Sequence, residues 1–390
     1  MRLLYYTKPP FLDCDLPYLK SQKENISELY TIIDLPSFFL RSSVLDIAKQ
    51  ISKPGIFKAS QYKEIIFFED YLDLDKTYVV NRTNKKVFSV SNLILNFKLF
   101  FFILKIRPTI IHSTVFYDFQ ELFLYFFRKK TIVTVHDPFP HSGEGNFRKY
   151  FFRKLGFTLL NNFIILNKKQ KTQFIATYKL ENKNVYESNL SIYNVYNLYL
   201  GQFSENKPLK SILFFGRISP YKGINILLEA MKYVHSIHPD VKLIIAGNGE
   251  YYFDKTEFEQ LDYIEFRNRY IPNAELVKLI KDSLFVVCPY IDATQSGVVM
   301  TSYAFCKPVI ASNIGGLSEM VIDKVTGCLV EPNDIIELQN SIIELVSNKK
   351  LLDTMEKNVF DHFHQGQRGW TKISKDLFIV YNTIINDNKK

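Results

Sequence analysis

One feature limits more than any other how this chain can fold. Short, strand-like apolar runs alternate with stretches of helical spacing along its whole length. In the first half the runs are Leu3–Tyr6, Ile65–Phe68, Tyr78–Val80, Ile110–His112, Ile132–Val135 and Phe163–Leu166. In the second half they are Ile212–Phe215, Lys242–Ala246, Ile264–Phe266, Leu284–Cys288 and Val309–Ala311. A strand with one wet face alternates apolar and polar residues. These runs do not, which fits strands of a parallel sheet covered on both faces. Between them Ile224, Leu227, Leu228 and Met231 recur at i, i+3, i+4 and i+7, the spacing of one buried helix face. Ile335, Leu338, Ile342 and Leu345 do much the same, as do Trp370, Ile373, Leu377, Val380 and Tyr381. Such alternation predicts an α/β protein built on doubly wound parallel sheets.

A chain of 390 residues suits two domains. A polar segment between Tyr199 and Leu209, with Gly201 and Pro208, directly precedes a strong strand and reads as the boundary. The expected division is an N-terminal domain over 1–200, a C-terminal domain over 208–365, and a last helix over 366–390 packing back toward the N-terminal domain. The four cysteines, Cys14, Cys288, Cys306 and Cys328, form no C-x-x-C pair and stand with no histidine at zinc-ligand spacing, so reduced thiols of a cytoplasmic protein are expected. The most apolar stretch, Leu93–Ile106, carries Lys98 and Lys105 and is shorter than the ~20 residues that cross a bilayer. The opening residues turn polar too soon for a signal peptide.

Charge is uneven. The net charge is +9, with a balance of +11 over residues 1–200 and −2 over 201–390. A basic first half calls for an anionic partner. Phenylalanines interleave with its basic clusters at Phe126-Phe127-Arg128-Lys129-Lys130 and at Arg148-Lys149-Tyr150-Phe151-Phe152-Arg153-Lys154. That mixture favours an anionic membrane surface or a lipid diphosphate, against a solvated basic face over buried aromatics. No recognisable nucleic-acid module is present.

Three segments of the second half carry chemistry. In the first, a strand ends at Gly216, Arg217 and Lys222 flank the turn, and a helix begins near Ile224. Ligands of open α/β sheets sit beyond the carboxyl ends of strands, and two cations there make an anion site; the alternative is two solvated loop cations. In the second, Gly247-Asn248-Gly249 would let backbone approach a ligand, though G-x-G alone also marks an ordinary turn. In the third, Thr294-Gln295-Ser296-Gly297 follows a strand and opens a helix, and Gly315-Gly316 repeats the arrangement before Glu319. Amides at a helix N-terminus favour phosphate oxygens; ordinary capping is the alternative. In the first half, His136 at a strand end beside Asp137 is a candidate acid, base or hydrogen-bond donor, against a structural role.

These segments occur in order at distances resembling glycosyltransferase family 4, of the GT-B fold: Gly216-Arg217…Lys222-Gly223, Gly247-Asn248-Gly249, Ala293–Gly297, Lys307-Pro308-Val309-Ile310, Gly315-Gly316…Glu319 and Thr326-Gly327. The match is specific over about 210–335. In the first half, His136-Asp137-Pro138 with Pro140-His141 resembles the family's strand-end histidine segment, and Phe11–Leu16, holding Asp13 and Asp15, resembles a first βα loop. The resemblance implies two doubly wound domains facing across a cleft and a retaining hexosyl transfer from a UDP- or GDP-sugar to a saccharide or lipid-diphosphate-linked acceptor, in surface polysaccharide synthesis. It implies His136, Arg217 and Lys222 as catalytic residues. Gly216, Gly247, Asn248, Gly249, Tyr270, Ile271, Thr294, Gln295, Ser296, Gly297, Val298 and Glu319 would hold the donor. Asp13, Asp15, Asp137 and His141 would lie toward the acceptor. It implies no cofactor and no metal, and a cytoplasmic location, peripheral on the inner face of the membrane. The family's paired glutamates are replaced by Ala293 and Thr301, and Gln295 and Ser296 of the ATQSG segment stand as their substitutes. That replacement leaves two other readings, a catalytically weak partner subunit and a sugar-nucleotide epimerase or phosphorylase. The triplets Asp13-Cys14-Asp15 and Asp73-Leu74-Asp75 are the places where a metal-dependent enzyme of another fold would hold its cation.

Overall fold

The computed structural model describes residues 1–38, 40–114, 119–139, 147–202 and 210–389. The chain divides into two compact units, and the second spans Leu190–Gly369. The first takes the residues before it together with the C-terminal helix from Trp370.

The first unit contains the strands β1 (Arg2–Thr7), β2 (Glu28–Pro36), β3 (Gly55–Lys58), β4 (Thr77–Arg82), β5 (Ile110–Ser113), β6 (Thr131–Val135), β7 (Asn162–Ile165) and β8 (Asn184–Glu187). They form one sheet in the order β3-β4-β2-β1-β5-β6-β7-β8, parallel except for β3 against β4. Its helices are α1 (Leu12–Gln22), α2 (Lys63–Ile66), α3 (Val90–Ile106), α4 (Phe147–Leu159) and α5 (Lys171–Tyr178). A 3-10 run covers Phe119–Phe127.

The Ile65–Phe68 run, expected as a strand, opens instead within α2 and continues into a turn. Ile65 and Phe68 are both buried and lie three residues apart, which fits a helical turn, and four apolar residues are too few for periodicity to choose between the two states. Conversely β2, which no apolar run announced, is the second strand of the sheet. Its Asp34 is fully buried and bonded to Arg82 Nε at 2.7 Å and Nη2 at 2.9 Å. The core of the unit lies between the sheet and α3, where Leu95, Leu99, Ile103 and Ile106 meet Leu4, Tyr6 and Ile111.

The second unit has six parallel strands, β9 (Ser211–Phe215), β10 (Lys242–Gly247), β11 (Ile264–Asn268), β12 (Ser283–Cys288), β13 (Val309–Ser312) and β14 (Gly327–Val330), in the order β11-β10-β9-β12-β13-β14. Its helices are α6 (Ile224–Ile237), α7 (Thr256–Glu259), α8 (Asn273–Asp282), α9 (Gly297–Ala304), α10 (Leu317–Met320), α11 (Ile335–Ser347) and α12 (Lys349–Val359). The anticipated apolar stripe of α6 is turned inward, with Leu227, Leu228 and Met231 fully buried; in α11 Ile335 at its first turn is exposed, while Ile342 and Leu345 are fully buried. Each such side chain contributes about 1.5–3 kcal/mol relative to exposure. The order of connections reverses at β9, because β10 and β11 lie on one side of it and β12 to β14 on the other. Such a switch point leaves a crevice at the carboxyl ends of the two central strands.

The last helix, α13 (Trp370–Asp387), packs on α1. Gln22 and Asn25 donate to the carbonyl and hydroxyl of Ser374 at 3.2 and 3.1 Å. The Tyr381 hydroxyl reaches Nδ1 of His112 at 2.6 Å and bonds the Tyr18 hydroxyl, while Nε2 of His112 meets the Thr134 hydroxyl at 2.6 Å. Burial pushes the His112 imidazole down to about 3, so this chain of bonds runs through a neutral ring.

Candidate functional site

Four loops of the second unit converge at the carboxyl ends of β9, β10, β12 and β13, and glycine makes the convergence sterically feasible. Gly247 has φ +154°, and a Cβ there would lie 1.8 Å from the Gly216 carbonyl oxygen. Gly315 has φ +49°, and its Cβ would lie 1.8 Å from the Ala293 oxygen. Gly216 itself, at φ +123°, donates to the Ala246 carbonyl at 3.0 Å, which turns the chain sharply out of β9. No L side chain fits such approaches without moving backbone. The Asn268 side chain ties off the β10 loop, accepting from the Gly249 amide at 3.2 Å and donating to its carbonyl at 3.0 Å. Asn248 between the glycines is left exposed.

Arg217 and Lys222 stand on the β9 loop in different surroundings. Arg217 is exposed, with Nη2 donating to the Tyr221 hydroxyl at 3.3 Å. Lys222 is 9% exposed and sits with Nζ 3.7 Å from the centre of the Tyr290 ring and 4.9 Å from that of Tyr221. The two cations thus share Tyr221. Among the described residues no carboxylate pairs with Lys222. Burial pushes its ammonium down to about 8; the Cys288 thiol opposes that shift and Arg217 adds to it. A buried cation held over aromatic faces without a counter-ion is a site whose charge an arriving anion would satisfy.

The β12 loop supplies a second anion-seeking element. Ser296 precedes α9 in extended conformation, and its side chain makes no capping bond. The amides of Gly297, Val298 and Val299 open the helix and have no acceptor within it. Thr294 and Ser296 are buried, Gln295 and Val298 are half-buried and Gly297 is exposed. Ser296 lies 3.5 Å from the Tyr290 hydroxyl, so one tyrosine touches both the Lys222 cradle and the α9 approach. Glu319 is half-buried on α10. Tyr270 and Ile271 follow β11, the edge strand, Tyr270 being exposed there. Ala293 and Thr301, at the positions of the missing glutamates, are buried. Sequence reasoning missed Tyr221 and Tyr290. Their adjacency to Lys222 and Pro289 was visible, but their stacking on one ammonium depends on bringing β9 beside β12.

The first unit's sheet carries its own polar group at the carboxyl ends of β1, β5 and β6. His136 is 8% exposed, its ring 5.0 Å from that of Phe11, and its Nε2 has no hydrogen-bond partner among the described residues. Burial pushes this imidazole down to about 4 against the pull of Asp137, so it is neutral at pH 7. It can give or take a hydrogen bond but is not a charged acid there. Asp13 is half-buried; its carboxylate accepts from Ser43 Oγ at 2.8 Å, and burial raises it to about 6.

Asp15 corrects the acceptor-side expectation. It is 1% exposed, with one oxygen accepting from Tyr5 at 2.8 Å and the other from Thr7 and from Thr114 at 3.0 Å. Helical phase turns it into the scaffold, where its carboxylate is spent on hydroxyls. Cys14, Asp15 and His136 have ligand-capable atoms within 4.8 Å of one another, but the Asp15 oxygens are already engaged by hydroxyls. Asp73 of the second triplet accepts from the amides of Asp75 and Lys76, a turn-forming arrangement. Asp137 is half-buried after β6, and His141 lies outside the described residues.

Comparison with known proteins bears on the fold and the family of the second unit. Residues 199–362 match the family described as Glycosyl transferases group 1. An uncharacterized glycosyltransferase of Methanocaldococcus jannaschii is 33% identical over 149 residues, covering 37% of this chain and 41% of the relative. The matched stretch thus spans less than half of that relative's length. Two solved structures share the architecture across the chain. One is sucrose-phosphate synthase from Thermosynechococcus elongatus, with TM-score 0.71, 14% identity, and coverage of 99% of this chain and 100% of the other. The other is Anabaena HepE in complex with UDP, with TM-score 0.64, 15% identity, and coverage of 98% and 100%. At such identities the likeness is one of fold, and the fold is GT-B.

Proposed function

Proceeding from that match and fold, we propose that the chain is a retaining glycosyltransferase that moves a hexose from a UDP- or GDP-sugar to a saccharide or lipid-linked saccharide, in the assembly of a surface polysaccharide. The observation that carries the reading is the uncompensated Lys222 ammonium beside Arg217, next to the uncapped start of α9 at the switch point. A nucleoside diphosphate would bring to that place the negative charge it lacks. The neighbouring structure that contains UDP supports the choice of ligand class.

In this reading the bond between sugar C1 and the diphosphate oxygen breaks while a bond from the acceptor oxygen to C1 forms on the same face. The electron pair of the broken bond goes to the departing phosphate, whose oxygen on that face takes the proton of the acceptor hydroxyl. Lys222 and Arg217 would neutralise that growing charge, and the amides of Gly297 and Val298 would receive phosphate or sugar oxygens. With two cations and a helix start in place, the diphosphate needs no metal. The loops at Gly247–Gly249 and Tyr270–Ile271 would border the nucleoside. In the first unit, the open Nε2 of neutral His136 would bond a sugar hydroxyl. We further place the working protein on the inner face of an anionic membrane.

A thermal-shift panel of UDP, GDP, ADP and their sugars tests the site. Stabilisation by one diphosphate series is expected. Arg217→Ala should weaken it and cut turnover by about 10²–10³. Full nucleotide-dependent stabilisation in Arg217→Ala would sink the assignment. Strong nucleotide binding without turnover on any acceptor would instead favour the partner-subunit reading that the absent glutamates leave open.

A further inference from the structure

Helix α3 is apolar on both sides, which one buried face does not require. Its inner face supplies Leu95, Leu99, Ile103 and Ile106 to the core. Its outer face carries Val90, Ile94, Phe97, Phe101 and Leu104 at intervals of four, three, four and three residues, a single straight stripe. Phe97 is 68% exposed and Phe101 65%. A continuous exposed stripe of this kind marks a contact surface. No helix among the described residues is long and apolar enough to cross a membrane, so the stripe is not part of a span.

The charges on α3 and directly after it are positive: Lys98 and Lys105 flank the stripe, and Arg107 follows, all exposed. The Glu28 carboxylate near the end of α3 is already paired with Arg2, which also donates to the Ile106 carbonyl at 2.7 Å. At the C-terminal end of α3 the rings of Phe100 and Phe126 lie 5.4 Å apart, and Phe126 is 73% exposed. From there an open groove of about 620 Å³ runs between Pro108 and Lys130, lined by Tyr125, Phe126, Arg128 and Lys129 and, among the described residues, by no carboxylate. From Thr77 to His136 the sequence contains only two acidic residues, Asp118 and Glu121. Asp118 lies outside the described residues, and Glu121 is fully buried against Lys8.

We infer that the outer face of α3, with the Tyr125–Lys130 groove, is the surface by which the protein lies on an anionic lipid bilayer. Exposed phenylalanines would enter the boundary between headgroups and acyl chains while the flanking lysines and arginines meet lipid phosphates. A second copy fits less well: a two-fold contact through this face would set the same cations against each other. The chain direction adds a functional consequence. α3 follows the carboxyl end of β4 and precedes the amino end of β5, so its first turn lies at the sheet edge that carries His136. A lipid-borne acceptor could reach that edge without leaving the bilayer. The inference deepens the proposed membrane location and is independent of the donor assignment.

The test is co-sedimentation of the full chain with vesicles of phosphatidylcholine alone or with about a third phosphatidylglycerol. Binding to the anionic vesicles, weakening with salt, is expected. Phe97→Ser with Phe101→Ser should lower the partition by at least about tenfold, and Lys98→Glu with Lys105→Glu by about tenfold. Nucleotide-dependent thermal stabilisation, which the second unit governs, should persist in both. Unchanged binding by both pairs refutes the α3 surface while leaving the membrane location standing. No binding by the unaltered chain at low salt refutes both, and the donor site is still scored by the nucleotide panel. A fall in self-association in the phenylalanine pair, without vesicle binding by the parent, would assign the face to a second copy and overturn the inference. A near-isosteric variant guards against misfolding. Phe97→Trp fluorescence should be quenched by brominated lipid in anionic vesicles, and absence of quenching in a vesicle-bound sample overturns the inference.

Discussion

Replacing Lys222 by methionine should make the empty protein more stable and leave it unable to respond to nucleotide. The ammonium is almost wholly buried, and burial moves it from 10.5 to about 8. At pH 7 the group is charged in both folded and unfolded chains, so the folded state carries the whole difference as a cost. At about 1.4 kcal/mol per pH unit this amounts to about 3 kcal/mol. The ring contacts with Tyr290 and Tyr221 return about 1–2 kcal/mol, which methionine gives up while keeping most of the methylene packing. The net expectation is a gain of about 1–2 kcal/mol, or about 2–8 °C in Tm for a domain of this size. The sign with pH follows from proton counts. A folded pKa below the unfolded one means the unfolded chain holds more protons as pH rises from about 8 toward 10.4, so wild-type stability rises there. The variant lacks that rise, and its advantage should shrink between pH 7 and 9.5. The assay is thermal unfolding of both proteins across that range, with and without the nucleotide that stabilises the wild type. A variant less stable than wild type at pH 7, by an amount independent of pH, would refute the reasoning and make Lys222 a structural residue.

Three further outcomes are expected. His136→Ala should abolish most turnover while sparing nucleotide-dependent stabilisation of the second unit. Because the wild-type imidazole titrates near 4, activity should not follow an ordinary histidine titration between pH 5.5 and 7.5, as a pH–rate profile would show. Tyr381→Phe removes the hydroxyl that joins His112 to Tyr18, leaving buried groups unpaired; denaturant unfolding should register a loss of about 1–3 kcal/mol. Gly247→Ala drives a methyl group into the Gly216 carbonyl from a backbone angle alanine resists, and should cost about 2 kcal/mol or more together with nucleotide stabilisation, read in one thermal-shift series.

What the sequence determined by itself is the layering of the molecule and the chemical character of its loops. Strands covered on both faces must be continuously apolar, so β1, β5, β6 and, in the second unit, β9, β10, β12 and β13 announced themselves. Glycine next to cation at strand ends likewise marked the site, because tight turns and anion binding each demand particular residue types. The tertiary structure decided what depends on neighbours distant in the chain. β2 went unread because Asp34 interrupts it, and Arg82 on the adjacent strand, with the Tyr6 hydroxyl, makes that carboxylate tolerable inside a sheet. Asp15 looked like an acceptor ligand until helical phase turned it onto Tyr5, Thr7 and Thr114. The ammonium of Lys222 is depressed by burial, which only the packing of the β9 loop against β12 supplies, and the outward stripe of α3 is a liability or a docking face only once its other side is known to be buried. Local sequence fixes periodicity and backbone freedom, whereas burial, pairing and pKa are set by what the rest of the chain brings alongside.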